Sequence, residues 1–145
     1  MKAYRFSLDT VMRIRALEER LVRERLILVQ RDLRLAQDAY RQAEASLEAL
    51  AAPTGQTTMD KICWIGDQAT RLSEEVRVSG EELVAAASTH DEVSHLWHET
   101  RKRLGTLERL DSEGRAQWKR EIQRHEVAEL DDLANARHGL IGARS

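Results

Sequence analysis

Residues 62–118 read ICWIGDQATRLSEEVRVSGEELVAAASTHDEVSHLWHETRKRLGTLERLDSEGRAQW, a stretch without proline in which apolar side chains recur every seven residues. Two sets of positions alternate at spacings of three and four, as in the buried seam of a coiled coil. Because the period is kept without a shift, it predicts one long helix that packs against another helix. The first set is Ile62, Ala69, Val76, Leu83, His90, Trp97, Leu104, Asp111 and Trp118, and the second is Ile65, Leu72, Ser79, Ala86, Val93, Thr100, Leu107 and Gly114.

A second heptad pattern nearer the N-terminus supplies the partner helix. Ser7 is a candidate cap for its first turn, and the helix is predicted to run to about residue 50. Its seam reads Leu26, Leu33, Tyr40 and Leu47, together with Val29, Ala36, Ala43 and Leu50. An earlier stripe lies in a different register. Its residues are Ile14, Leu21, Leu28 and Leu35. This second stripe indicates either a local shift in the coil or a surface for a third helix.

The segment 51–59, AAPTGQTTM, breaks the helical pattern. Pro53 lacks a backbone donor, Gly55 permits turn conformations, and Thr57 or Thr58 can cap the next helix. A short connection forces two helices to run antiparallel. We therefore predict an all-α fold, a long antiparallel two-helix coiled-coil hairpin with unequal helices. It forms a single domain over 1–145, with helices at about 7–50 and 60–138, the turn at 51–59 and a short tail at 139–145.

The second helix is predicted to outrun the first. Folding back about Gly55 places Leu21 near Glu92 and Ile14 near Trp97, so residues beyond about 104 have no partner. An isolated helix with an apolar face is marginal in water, which argues for an interaction function. The apolar residues of this overhang are Leu107, Leu110, Trp118, Ile122, Leu130, Leu133, Leu140 and Ile141.

Composition and charge exclude several classes of protein. Charged residues make up 33% and aromatic residues 4% of the chain, which is typical of long helices. The net charge of −2 argues against a nucleic-acid partner. Residues 1–34 are basic overall and residues 60–100 acidic, which favours pairing of the two helices. No stretch is apolar enough for direct membrane insertion, and the single cysteine, Cys63, excludes an internal disulfide.

Motifs for chemistry are absent from the sequence, so we expect no catalytic residue, no metal and no cofactor. Glycine-rich phosphate loops and nucleophile elbows do not occur. The polar seam positions Ser79, His90, Thr100 and Asp111 are better explained as tolerated imperfections than as register-setting residues. The exposed Trp64 near the turn indicates either an interface or local packing. A metal site is conceivable but a solvated face is favoured for one helical cluster, which consists of Asp91, His95, His98 and Glu99.

Residues 6–19, FSLDTVMRIRALEE, resemble the start of the FliJ family, soluble components of the flagellar type III export apparatus. Met12 stands where Leu is commoner in that family. Trp64, Ile65 and Leu72 are similar to the start of the family's second helix. Residues 126–134, EVAELDDLA, resemble its charged tail.

This resemblance implies a stalk that promotes assembly of the hexameric export ATPase and contacts the cytoplasmic domain of the export gate and export chaperones. It also implies a role in motility and a cytoplasmic location, peripherally associated with the inner membrane at the flagellar base. The residues implied at the ATPase end are Arg13, Arg15, Asp131 and Asp132. Those implied at the gate, near the hairpin tip, are Leu47, Leu50, Trp64 and Leu72.

Other functions stay open at the level of the sequence. A generic coiled-coil scaffold or dimerisation module would use the overhang to pair with a second copy. The stalk of a virulence-type secretion system or of a rotary ATPase would have a similar sequence. A metal-dependent activity at His95 and His98 is the third alternative.

Overall fold

Two helices of very different length make up the fold. The computed structural model describes residues 3–50 and 54–142, with side-chain positions up to residue 139. Helix α1 spans Asp9–Glu48 (40 residues) and helix α2 spans Met59–Gly142 (84 residues). The described residues contain no β-strand. The predicted fold class is confirmed: all-α, an antiparallel two-helix coiled-coil hairpin with unequal helices.

Neither helix, within the part of the chain that is described, includes a segment of the length and apolarity needed to cross a membrane.

Helix α1 begins two residues later than the Ser7 cap predicts. The amide of Met12 donates to the carbonyl of Leu8 at 2.9 Å, so the helical hydrogen bonds start from Leu8. Asp9 in the first turn suits the positive end of the helix and pairs with Arg13. The predicted cap at Ser7 is therefore wrong, because Ser7 lies in the turn before the helix.

In the described part of the connection between the helices, from residue 54 onward, Gly55 is left-handed. Gly55 has φ 82°, a conformation that residues with a side chain resist. The amide of Ile62 donates to the carbonyl of Thr58 at 3.2 Å, so Thr58, rather than Thr57, immediately precedes α2. The predicted break at Pro53 lies outside the described residues.

At its other end α2 continues to Gly142, through the predicted stop at Gly139. A glycine near a helix terminus is only a weak stop signal, because a helical glycine is tolerated at a modest free-energy cost.

Contacts group the chain into two compact units. One comprises Met1–Leu17 with Arg101–Ser145, and the other comprises Glu18–Thr100. Each unit contains a segment of α1 together with a segment of α2. The single domain over 1–145 stays a prediction.

The seam predicted for α2 is the face that the structure buries. Every predicted position except Ile62 is buried or half-buried. Val93 and Leu104 are the most deeply buried apolar side chains of this helix. The seven-residue pattern therefore located the core of α2 correctly along most of its length.

Two polar residues lie fully buried in that seam. The Ser79 hydroxyl donates to the carbonyl of Glu75 at 2.8 Å, and the Thr100 hydroxyl donates to the carbonyl of Leu96 at 2.7 Å. Because their own helix satisfies these hydroxyls, neither residue needs a partner across the seam.

A buried carboxylate on α1 defines one layer of the seam. Glu19 is 2% exposed and accepts a hydrogen bond from the indole Nε1–H of Trp97 at 3.1 Å. It also accepts one from the guanidinium Nε–H of Arg23 at 3.1 Å. This hydrogen bond raises the pKa of Arg23 above its ordinary value, so Arg23 stays charged and offsets the buried carboxylate.

The helix pairing predicted from a fold-back at Gly55 is wrong. Trp97 bonds Glu19, five residues further along α1 than the predicted Ile14, which is exposed. Leu21 and Glu92, the other predicted pair, are both exposed. The register of the two helices is not set by symmetry about the turn. It is set by which side chains of α1 and α2 can be buried together where the helices meet.

The seam of α1 continues without a shift towards the N-terminus. Glu19 lies seven residues before the buried Leu26, and the half-buried Met12 lies seven before Glu19. The local-shift interpretation of the second stripe is therefore wrong. Its use as a surface for a third helix stays a prediction, since all four side chains are exposed: Ile14, Leu21, Leu28 and Leu35.

The Glu19 layer yields a prediction for stability. Trp97→Phe removes the indole donor and keeps an aromatic ring. We expect the free energy of unfolding to fall by about 1–3 kcal/mol, because a buried carboxylate loses a hydrogen bond. In a Glu19→Leu background the same substitution should cost less, since no carboxylate is left unsatisfied. Urea denaturation of the four proteins gives the coupling energy, and a value near zero would contradict the assigned contact.

Candidate functional site

Metal binding finds no support in the described residues. They hold no group of three or more His, Cys, Asp or Glu side chains arranged to bind a metal ion. In the candidate cluster, Asp91, His95 and His98 are exposed, and the His98 ring packs 5.0 Å from that of Trp97.

The N-terminal segment 3–8, here the strap, packs against α2. The Tyr4 hydroxyl donates to the backbone carbonyl of Asp111 at 3.1 Å. Its ring lies 6.2 Å from the ring of Trp118 and beneath the Arg115 guanidinium, 5.4 Å from the centroid. Partial burial raises the pKa of Tyr4, and Asp111 acts in the same direction, so the phenol stays a donor.

Because Gly114 has no side chain, the Tyr4 ring of the strap can lie against α2 at this position. A Cβ built at Gly114 would lie 2.5 Å from the Tyr4 hydroxyl oxygen and 3.3 Å from its Cζ. Any side chain there would have to displace the Tyr4 ring from its contacts with Asp111 and Trp118. The strap therefore depends on a glycine at this seam position.

The two predicted ATPase-end pairs do not share a groove. Arg13 pairs with Asp9 at 3.0 Å and lines a groove beside the strap, whereas Arg15 is half-buried. Asp131 and Asp132 are exposed on α2, and Asp131 lines a separate groove there.

The predicted overhang beyond about residue 104 is shorter in the structure, because the strap packs on α2 as far as Trp118. Its exposed part is residues 123–139, and the name overhang is used below for this segment alone. Every residue in it is exposed. Val127 is 57% exposed, and Leu130 and Leu133 are each 65% exposed. Apolar side chains spaced by three residues on an exposed helix form a face that a partner protein can bury.

The predicted gate residues differ in their accessibility. Trp64 is 58% exposed on the first turns of α2, so it is available to a partner. Leu47, Leu50 and Leu72 are half-buried, and part of each side chain therefore belongs to the packing between the helices. The exposure of Trp64 favours an interface over local packing.

The contacts that hold the strap and the Glu19 layer were not among the predictions from the sequence. A glycine at the seam position Gly114 was the available signal for a close approach. Glu19, at a heptad spacing from Leu26, was the corresponding signal on α1.

Comparisons with known proteins give one match. The family model described as "Flagellar FliJ protein" matches residues 4–140, nearly the whole chain. No curated protein and no solved structure matches the chain.

The strap contact is tested by two glycine substitutions in the same helix. An added Cβ at Gly105 would touch nothing within 4 Å. We expect Gly105→Ala to raise the free energy of unfolding by about 0.5–1 kcal/mol, because alanine is the better helix former. Gly114→Ala should not show this stabilisation, since the added methyl group displaces Tyr4 from its hydrogen bond to the carbonyl of Asp111.

Urea denaturation measures both free energies of unfolding. In a Tyr4→Ala background, Gly114→Ala should again raise the free energy of unfolding relative to Tyr4→Ala alone, because the clash is then absent. Equal stabilisation by Gly105→Ala and Gly114→Ala would contradict the strap contact.

Proposed function

Because the chain belongs to the FliJ family of flagellar proteins, we propose that it acts as a coiled-coil stalk for the hexameric export ATPase. Family membership makes it a component of flagellar protein export. The proposed stalk binds the ATPase and promotes its assembly. It also contacts the cytoplasmic domain of the export gate and export chaperones.

The exposed overhang is the observation that carries this proposal. Val127, Leu130 and Leu133 lie on the surface of a helix that no other described part of the chain covers along residues 123–139. A single helix of this length is marginal in water, and burial of its apolar face by a partner would stabilise it. A helix inserted into the central opening of a ring-shaped hexamer would have protein on all sides to bury this face.

The four charged residues that the family resemblance implies at the ATPase all belong to the compact unit that contains the overhang. Arg13 and Arg15 belong to the same compact unit as Asp131 and Asp132. Exposed charges at the rim of an interface mainly set specificity and the rate of association. We assign Arg13, Arg15, Asp131 and Asp132 to the ATPase interface on this basis.

The gate contact is proposed for the opposite end of α2. Exposed tryptophans often contribute much of the binding energy of an interface. Trp64 would anchor the gate domain, with Leu47, Leu50 and Leu72 contributing their exposed edges. Leu28 and Leu35 on α1 offer a further apolar surface for a helix of an export chaperone.

The proposed partners also determine the location of the protein. We propose that it is cytoplasmic and reaches the inner membrane at the flagellar base through the gate and the ATPase. The virulence-type stalk receives no support, since the matching family model is the flagellar one.

Binding of the ATPase is tested with charge-removing variants. We expect Asp131→Ala/Asp132→Ala and Arg13→Ala each to weaken binding of the purified cognate export ATPase by roughly three- to tenfold, mostly through slower association. The control is Asp32→Ala/Asp38→Ala, which removes two exposed carboxylates of α1.

Surface plasmon resonance gives the rates, and hexamer formation with ATP turnover gives the functional readout. Circular dichroism checks that helicity is kept. Wild-type affinity and turnover with both charge-removing variants would contradict the assignment of these residues.

Binding of the gate is tested at Trp64. Trp64→Ala should weaken binding of the purified gate domain by roughly tenfold or more, as expected for a tryptophan anchor. The matched control is Val84→Ala, an apolar residue of α2 that is 70% exposed. Isothermal titration calorimetry measures both, and loss of binding by the two variants alike would argue against a specific role for Trp64.

A further inference from the structure

The apolar face of the overhang does not continue the seam that α2 presents to α1. Continued by sevens from Trp118, the seam would fall on His125 and Asp132, which are exposed and polar. Leu130 and Leu133 lie on another side of the helix. The overhang therefore carries a face that is not shaped for α1.

This face is self-complementary in charge and spacing. Glu126, Leu130, Leu133 and Arg137 are separated by four, three and four residues, which places them on one stripe of the helix. Reversing the direction of the stripe exchanges the leucines with each other and the glutamate with the arginine. An antiparallel copy of the same segment therefore matches the stripe at each of these four positions.

We propose that the overhang binds the overhang of a second copy of this chain as an antiparallel helix pair. Leu130 of each copy then faces Leu133 of the other, and Glu126 faces Arg137, each contact occurring twice. Such twofold pairing, in which residue i meets j and j meets i, is the pattern of a symmetric dimer interface.

The charges needed for this pairing are available. Neither Glu126 nor Arg137 takes part in an ion pair among the residues that the structure describes. His125 and Glu129, by contrast, pair with each other at 3.1 Å away from the apolar stripe. The carboxylate and the guanidinium of the stripe are thus the groups left for a second copy.

The pairing is short, so it is weak. The stripe spans about two heptads, and an interface of this size buries less than the area of a stable dimer. Association should therefore depend on concentration. The inference does not rest on the proposed ATPase contact, although both use the overhang and the ATPase would compete with the second copy.

Charge reversal tests the pairing directly. Glu126→Arg and Arg137→Glu each place like charges opposite one another at both symmetric positions. The self-association of each variant alone should be weaker than that of wild type by roughly tenfold or more. In an equimolar mixture every facing pair is again opposite in charge, so the two variants should associate with each other about as well as wild type does.

Sedimentation velocity over a dilution series measures association of the full-length chains without ATPase. Reducing agent keeps the exposed Cys63 from forming intermolecular disulfides. The matched control is Arg124→Glu, a charge reversal of an exposed residue on the opposite side of the helix, which should associate like wild type.

Recovery of association in the mixture, with weak association of each variant alone, supports the antiparallel pair. A wild-type chain that stays monomeric at every concentration overturns it. Equal association by wild type, single variants and mixture also overturns it, because the dimer then uses another surface.

Discussion

One buried layer, in which Glu19 of α1 accepts a hydrogen bond from Trp97 of α2, constrains how the two helices meet. A carboxylate with 2% exposure is costly to bury unless its hydrogen bonds and charge are satisfied. Sliding either helix by one turn would separate Glu19 from the indole and leave that carboxylate unsatisfied in the seam. The layer therefore penalises other registers more strongly than interchangeable leucines and alanines would.

A fixed register also decides which apolar side chains remain free. The strap contacts α2 between Asp111 and Trp118, and beyond Ile122 every residue of α2 whose side chain is described is exposed. The free surfaces are thus a consequence of unequal helix lengths and of the register. Exposed apolar helix faces are surfaces that other proteins can bury, which agrees with a role in flagellar export.

The α2 seam could be predicted because burial along a helix imposes a seven-residue period that the sequence records directly. The register could not, because Glu19 looks like a solvated charge until the indole of Trp97 is placed beside it. The position of the strap was equally hidden, since Tyr4 and Gly114 are far apart in sequence. Exposure of Trp64 and partial burial of Leu72 likewise depend on the partner helix, so accessibility of the predicted binding residues required the structure.

The most direct measurement is amide hydrogen exchange of the dilute protein, followed residue by residue along α2. The account predicts slow exchange between about residues 65 and 118, where the seam is packed, and fast exchange in residues 123–139, where a lone helix opens locally. Addition of the export ATPase should then slow exchange in the overhang. Equal protection along all of α2 in the dilute chain, or faster exchange around Trp97 than in the overhang, would contradict it.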